Sequence, residues 1–212
     1  VSGLAAVATS GSAADLSGSL ADARLSANVA LHSQLNTTLG QASGVVDAVS
    51  RVDAAAGVAA GAGQVLVAFF TPTASVTVSQ IAMATQGTAA AGLTLARMGI
   101  YTYPTDGGTA TLVARTASDT SLFAATSTLY TRSLDTTGGY PATYTLQAGT
   151  RYGVAYVCVG TTQPQLVGRA VQAAVGASLS PRISGASSTN QTDLPTSFTP
   201  SINSQAPFAR LS

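Results

Sequence analysis

The stretch Leu16–Leu31, LSGSLADARLSANVAL, constrains the fold of this chain more than any other. It carries Leu16, Leu20, Leu25, Val29 and Leu31 among small and polar residues. Neither the 3.6-residue period of a helix nor the alternation of a strand holds throughout, so no single face can close a core within one chain. Apolar side chains this sparse are buried where three extended chains wind round one another and meet on a common axis. The ladder then changes spacing. Leu35, Leu39, Ala42, Val46 and Val49 step by 4, 3, 4 and 3, with Val52 another three on. That is the seam spacing of a coiled coil. Gly40 and Gly44 weaken it, each by about 1 kcal/mol relative to alanine. The spacing predicts a self-associating helical segment over 32–53. Ala54–Gly63, AAAGVAAGAG, reads as a small-residue neck. Residues 1–64 are therefore expected to form a fibrous, partly helical trimerisation stalk, with Leu16, Leu20, Leu25, Val29, Leu31, Leu35, Leu39, Val46 and Val49 meeting their counterparts.

From Val65 the pattern becomes one of short strand-like runs separated by turn residues. They are VLVAFF (65–70), SVTVSQIAMAT (75–85), LTLARMGIYTY (93–103), TATLVAR (109–115), STLYTRSL (127–134), ATYTLQ (142–147), RYGVAYVCVG (151–160) and PFARLS (207–212), with a further run within 165–175. PTDGGT predicts a hairpin turn, because Gly107 and Gly108 reach positive φ at little cost. Gly138–Gly139 before Tyr140–Pro141 predicts another sharp turn. Val154, Tyr156 and Cys158 alternate with Ala155, Val157 and Val159, so both faces of that run are apolar and it belongs at the centre of a covered sheet. The expected fold class is mainly β: a C-terminal antiparallel sandwich, jelly-roll-like, over 65–212 behind the stalk. Ser178–Ala206 is long and polar, and reads as a loop that is functional or packs against a neighbour.

Every basic residue besides the one histidine is arginine and every acid is aspartate; lysine and glutamate are absent. Charged residues make up 8% of the chain, against about 25% in ordinary soluble domains. Lys and Glu are favoured on exposed helix faces, whereas Thr, Val and Tyr favour half-buried sheet. Hydrophobic residues at 46% argue against simple disorder. Residues 1–64 carry a net charge of −2 and residues 65–212 a net +3, with no basic run. Neither value makes the footprint of a nucleic-acid binder. No apolar run approaches the ~20 residues needed to span a bilayer, so no membrane insertion is expected.

Catalytic chemistry finds little to work with. His32 is the one histidine and lies in the expected stalk, away from any nucleophile in the head. Asp106, Asp119, Asp135 and Asp193 are the acids of the head, and each has turn or cap neighbours. Cys158 sits in an apolar run and reads as a buried, inert thiol. No metal-ligand spacing is present, and no phosphate-binding glycine loop, so neither metal nor cofactor is expected. Binding is the better-supported chemistry. The head has seven tyrosines, whose apolar rings and polar tips suit sugar faces or protein contacts, although most strand tyrosines serve sheet packing. Tyr140, in TTGGYP, is the one most exposed by its context. Arg132 and Asp135 lie near it in sequence and could hydrogen-bond a saccharide.

The element LADARLSANV resembles the LPDARLS-type element of bacteriophage tail fibres, with Ala21 where proline is usual. VAFFTP, LTLARMGIYTY, VARTASDTSLFAAT, YTRSLDTTGGYPATYTLQAGTRYGVAYV and the ending DLPTSFTP…PFARLS resemble the C-terminal domains of minor tail proteins of phages that infect actinobacteria. That resemblance covers most of 65–212. It implies a homotrimeric fibre or tail-tip adhesin on the virion, held at its N-terminal end by other phage tail proteins and recognising a host cell-surface glycan, with no catalytic residue carried over. A C3 assembly would bury the stalk leucines and present three heads, so that weak single-site binding gains avidity. The alternative expectation is a structural virion component, such as a head fibre, decoration or baseplate protein, that binds only other viral proteins.

Overall fold

The computed structural model describes residues 44–170 and 179–212. The chain divides into Val1–Gly40 and Gln41–Ser212, and every described residue belongs to the second unit. Among the described residues the strands are β1 (Val46–Asp47), β2 (Ala56–Val58), β3 (Leu66–Phe70), β4 (Val76–Val78), β5 (Gln80–Ala84), β6 (Ala91–Thr102), β7 (Ala110–Arg115), β8 (Leu129–Ser133), β9 (Tyr144–Leu146), β10 (Tyr152–Thr162), β11 (Leu166–Ala170), β12 (Ser184–Ala186), β13 (Ser197–Phe198), β14 (Ser201–Ile202), β15 (Gln205–Pro207) and β16 (Arg210–Leu211). The one helical piece among them is a single 3-10 turn, Thr137–Gly139. The unit is mainly β, and its strand pairs are antiparallel.

The seven-stranded sheet has the order β13-β7-β6-β10-β3-β12-β14. A second sheet runs β1-β16-β5-β8, a third β15-β11-β2, and β4 pairs with β9. The long strands β6 and β10 pair from Tyr152↔Thr102 to Thr162↔Ala91, with a bulge at Val159/Gly160. As their alternation requires, Val154, Tyr156 and Cys158 enter one core while Ala155 and Val157 enter another on the opposite face. The first core is the larger and takes side chains from all four sheets: Met98 and Tyr156, Ile81 and Leu211, Val58 and Leu166, Val78 and Leu146. The second core gathers Val67, Phe69, Tyr101, Tyr103, Leu112 and Leu194. Phe69 stacks on Tyr103 at 4.1 Å, and Tyr101 meets Phe198 edge-on at 5.2 Å.

Strands β3, β6, β7, β8, β9, β10 and β11 fall where the sequence predicts them, and PTDGGT joins β6 to β7 as a hairpin. Several expectations change. The coiled-coil seam does not run through Val46 and Val49. Val46 pairs with Leu211 on β16, Val49 packs on the main core, and Val52 stands in solvent at 78% exposure. A cross-strand partner and a core were available to these valines, and local helical spacing yields to such burial. The Asp47 side chain beside them is 1% exposed and pairs with Arg51 at 2.6 Å and Arg210 at 3.9 Å, fastening this segment to the C-terminal strand. Leu16, Leu20, Leu25, Val29, Leu31, Leu35 and Leu39 lie outside the described residues.

The expected neck is also structured. Ala56–Val58 forms β2 against β11, Val58 is fully buried, and the Ala60 N–H donates to the buried Tyr156 hydroxyl at 3.0 Å. The compact body thus begins before the expected boundary at Val65. The run 75–85 is two strands in two sheets, because Ser79 and Gln80 both donate their N–H to the Ser212 carbonyl and the chain turns out of one ladder into the other. The described part of Ser178–Ala206 is not a simple loop. It supplies β12 and β14 on one edge of the large sheet and β13 on the other, then enters β15. Strands this short carry little hydrophobic periodicity, so pairing decides them.

Candidate functional site

Tyr140, Arg132 and Asp135, adjacent in sequence, divide between two neighbourhoods. Arg132 on β8 turns to Asp119: Nε donates to Oδ2 at 2.7 Å and Nη2 lies 2.6 Å from the same oxygen. Its guanidinium sits 5.8 Å from the Tyr130 ring. Asp119 also accepts from the Ser121 N–H and hydroxyl. Burial raises the Asp119 pKa, but the Ser121 and Arg132 hydrogen bonds and the Arg132 charge outweigh it and hold the carboxyl below its ordinary value. Arg132 is thereby committed to a surface clasp that fixes the 117–124 connection onto β8.

Asp135 and Tyr140 converge instead on Arg115, the last residue of β7. The Asp135 N–H donates to the Arg115 carbonyl at 2.7 Å. Asp135 accepts from the Thr137 N–H at 3.2 Å and from the Thr137 hydroxyl. Those hydrogen bonds, with the Arg115 and Arg97 charges, lower its pKa. The chain then turns through Gly138 and Gly139 at φ +75° and +82°, a region that side chains with a Cβ rarely adopt. This turn swings Tyr140 back beneath Arg115, whose Cζ lies 4.7 Å from the ring centroid.

The other half of this centre comes from Arg97 and from Asp193, an acid whose local sequence suggests only a turn or cap role. Gly99 on β6 is the cross-strand partner of Arg115, which makes Arg97 a diagonal neighbour on the same face. Asp193 sits between the two guanidiniums, with Oδ1 3.2 Å from Arg97 Nε and Oδ2 3.5 Å from Arg115 Nη1. It is positioned by Leu194, which is buried in the second core directly over Gly99. A Cβ at Gly99 would lie 2.7 Å from a Leu194 methyl and 2.9 Å from a Leu112 methyl. The buried Tyr101 beneath donates its hydroxyl to the Pro195 carbonyl at 3.0 Å and ties down the same segment. Burial, then Tyr140 and Asp193, raise the Tyr101 pKa and keep it neutral.

A signal for this centre was present in the sequence. Arg97 lies in phase with Leu95 and Tyr101 on a buried face of β6, where an arginine needs a partner. Nothing local pointed to Asp193, which is 96 positions away along the chain.

A third polar cluster holds the far end of the large sheet. Asp106, in the β6–β7 turn, accepts from Arg151 Nη1 at 3.1 Å, the Ser180 hydroxyl at 2.8 Å and the Arg182 N–H at 3.2 Å. Burial raises its pKa, but these hydrogen bonds and the two arginine charges prevail and lower it. Arg151 also lies 5.1 Å from both the Phe69 and Tyr103 rings and donates to the Arg182 carbonyl. With so many internal partners, this cluster serves as a joint. Cys158 is buried, and burial pushes its thiol up to about 12. Among the described residues no group of three His, Cys, Asp or Glu side chains converges as a metal site would require. No protein-family model matches the chain, and no curated protein matches it in sequence.

Proposed function

We propose that this chain is the attachment end of a homotrimeric phage tail fibre or minor tail protein, located at the tail tip, which recognises a host cell-surface glycan. The observation that carries the reading is the Arg97–Arg115–Asp193–Tyr140 centre. It places hydrogen-bond donors, an acceptor and a half-buried aromatic ring together on an antiparallel β body. That combination is suited to polyhydroxyl ligands. The tail-protein resemblance across 65–212 and the leucine ladder of 16–39 add support. Several antiparallel sheets share one core, which supports reading the head as a β-sandwich of jelly-roll-like form. Three copies joined through 16–39 would gain avidity for a repetitive surface.

The alternative, a structural virion component, draws on a different observation. Ile202, paired with Gly185 on the edge strand β14, is 47% exposed, and Ile183 just before β12 is 44% exposed, with Leu179 at 62% nearby in sequence. Exposed aliphatic side chains at a sheet edge fit a protein neighbour. Two measurements separate the readings. Light scattering of the full chain should give three times the protomer mass. Labelled protein should decorate intact actinobacterial cells. A monomer that decorates no cells would overturn the attachment reading.

A further inference from the structure

We infer that the Arg97–Arg115–Asp193–Tyr140 centre binds an uncharged saccharide through adjacent hydroxyl groups, rather than an acidic one; this rests on the glycan-recognition reading above.

Arg97 and Arg115 are held by longer hydrogen bonds than Arg132 and Arg151. Arg132 and Arg151 make hydrogen bonds of 2.7 to 3.1 Å to carboxylates and a carbonyl. For Arg97 and Arg115, every side-chain hydrogen bond is at 3.5 Å: Arg97 Nη1 to the Thr116 carbonyl, Arg115 Nη1 to Asp193, and Arg115 Nη2 to the Thr137 carbonyl. The Nε of each is buried without a hydrogen-bond partner. A guanidinium has five N–H donors. Two that are 14% and 15% exposed, with hydrogen bonds only at 3.5 Å besides the 3.2 Å Arg97–Asp193 ion pair, retain unused donor capacity. Asp193, 36% exposed between them, keeps acceptor capacity on its outward side.

The charge at the centre decides the ligand class. Arg97 and Arg115 face Asp193, and both also act on Asp135. Two cations are matched by two carboxylates. An acidic sugar would have to displace Asp193 from the guanidiniums and would meet the field of both aspartates. A pair of neighbouring hydroxyls needs no displacement. One donates to Asp193 and the other accepts from Arg115, each as a charge-assisted hydrogen bond. The sugar's apolar C–H face then has the Tyr140 ring beside it. The fold invests in this placement: Gly99 admits Leu194 and so sets Asp193, while Gly138–Gly139 set Tyr140.

The test is an array of neutral hexose and pentose oligosaccharides printed beside their uronate and phosphate-bearing counterparts. It is probed with the full chain and with Asp193→Asn and Tyr140→Ala. Decoration of intact actinobacterial cells is measured in parallel. The expected result is retention on neutral oligosaccharides, weakened about tenfold or more by either variant. Asp193→Asn is nearly isosteric but leaves two largely buried guanidiniums without their shared carboxylate, so its melting temperature is measured alongside and its retention is read only where it is folded. Tyr140→Ala provides an independent second variant. Raising salt to about 0.5 M should change retention little, because the centre is neutral overall. Retention confined to acidic probes, with collapse in salt, overturns the ligand class. Neutral retention that both variants leave unchanged overturns the site. Cell decoration without any saccharide retention also defeats this inference but leaves the attachment reading standing. Loss of both defeats the two together.

Discussion

Val58→Ala provides the sharpest test of the claim that the segment before Val65 is core rather than neck. Val58 is fully buried on β2 and contributes to the main core, with its side chain close against Gly168. Removing two buried methyl groups forfeits about 1.6 kcal/mol of transfer free energy. The sheets on either side cannot collapse freely, so a cavity term raises the cost to about 2–3 kcal/mol. For a cooperative unit of this size that is a fall in melting temperature of roughly 5–10 °C. Val52→Ala is the internal control. It lies six positions earlier in the same segment but is 78% exposed, so the change should stay within about 0.5 kcal/mol. Both variants are made in the full chain and followed by urea unfolding, with calorimetry as a second probe. If residues 54–63 were a passive neck, the two substitutions would be equally silent. A Val58→Ala cost below about 0.5 kcal/mol would refute the packing argument and return the start of the body to Val65.

Other consequences can be measured on the same protein. Gly99→Ala forces a Cβ against Leu194 and Leu112, which should cost about 1–3 kcal/mol and displace Asp193, read as lost stability together with lost saccharide retention. Tyr156→Phe strands the buried Ala60 N–H and should cost about 1–3 kcal/mol by urea unfolding; a neutral result would show that the hydrogen bond has no part in holding the segment. Asp106 and Asp119 have folded pKa values below the ordinary 3.8, so their stabilising contribution is fully present above 3.8 and is lost as pH falls from there through the lower folded pKa. Acid titration of Asp106→Asn and Asp119→Asn should show less loss of stability below about pH 4 than the parent, and an unchanged acid limb would contradict the assignment. Cys158 should resist maleimide at neutral pH until the protein is unfolded, since its thiol is buried and pushed up to about 12; rapid labelling of the folded chain would refute its burial.

The sequence by itself determined the class of fold, the two-faced central strand and the turns. Alternation in VAYVCVG requires two apolar surroundings, and β10 lies between β6 and β3 with a core on each side. Paired glycines after Asp106 and Asp135 require turns, and turns occur at both places. These are short-range properties, set by pleat geometry and backbone sterics, so they are legible in a window of a few residues. Tertiary structure alone decided the rest. Val46 and Val49 have coiled-coil spacing, but an antiparallel partner at Leu211 and an open core beside it claim them. Arg132 lies near Tyr140 in sequence, yet Asp119 takes it. Tyr140 receives Arg115 instead, and through Arg115 it joins Asp193 from a distant part of the chain. Where each polar group goes depends on which carboxylate the sheet register brings within about 3 Å, and register is set by long-range burial that no local pattern contains.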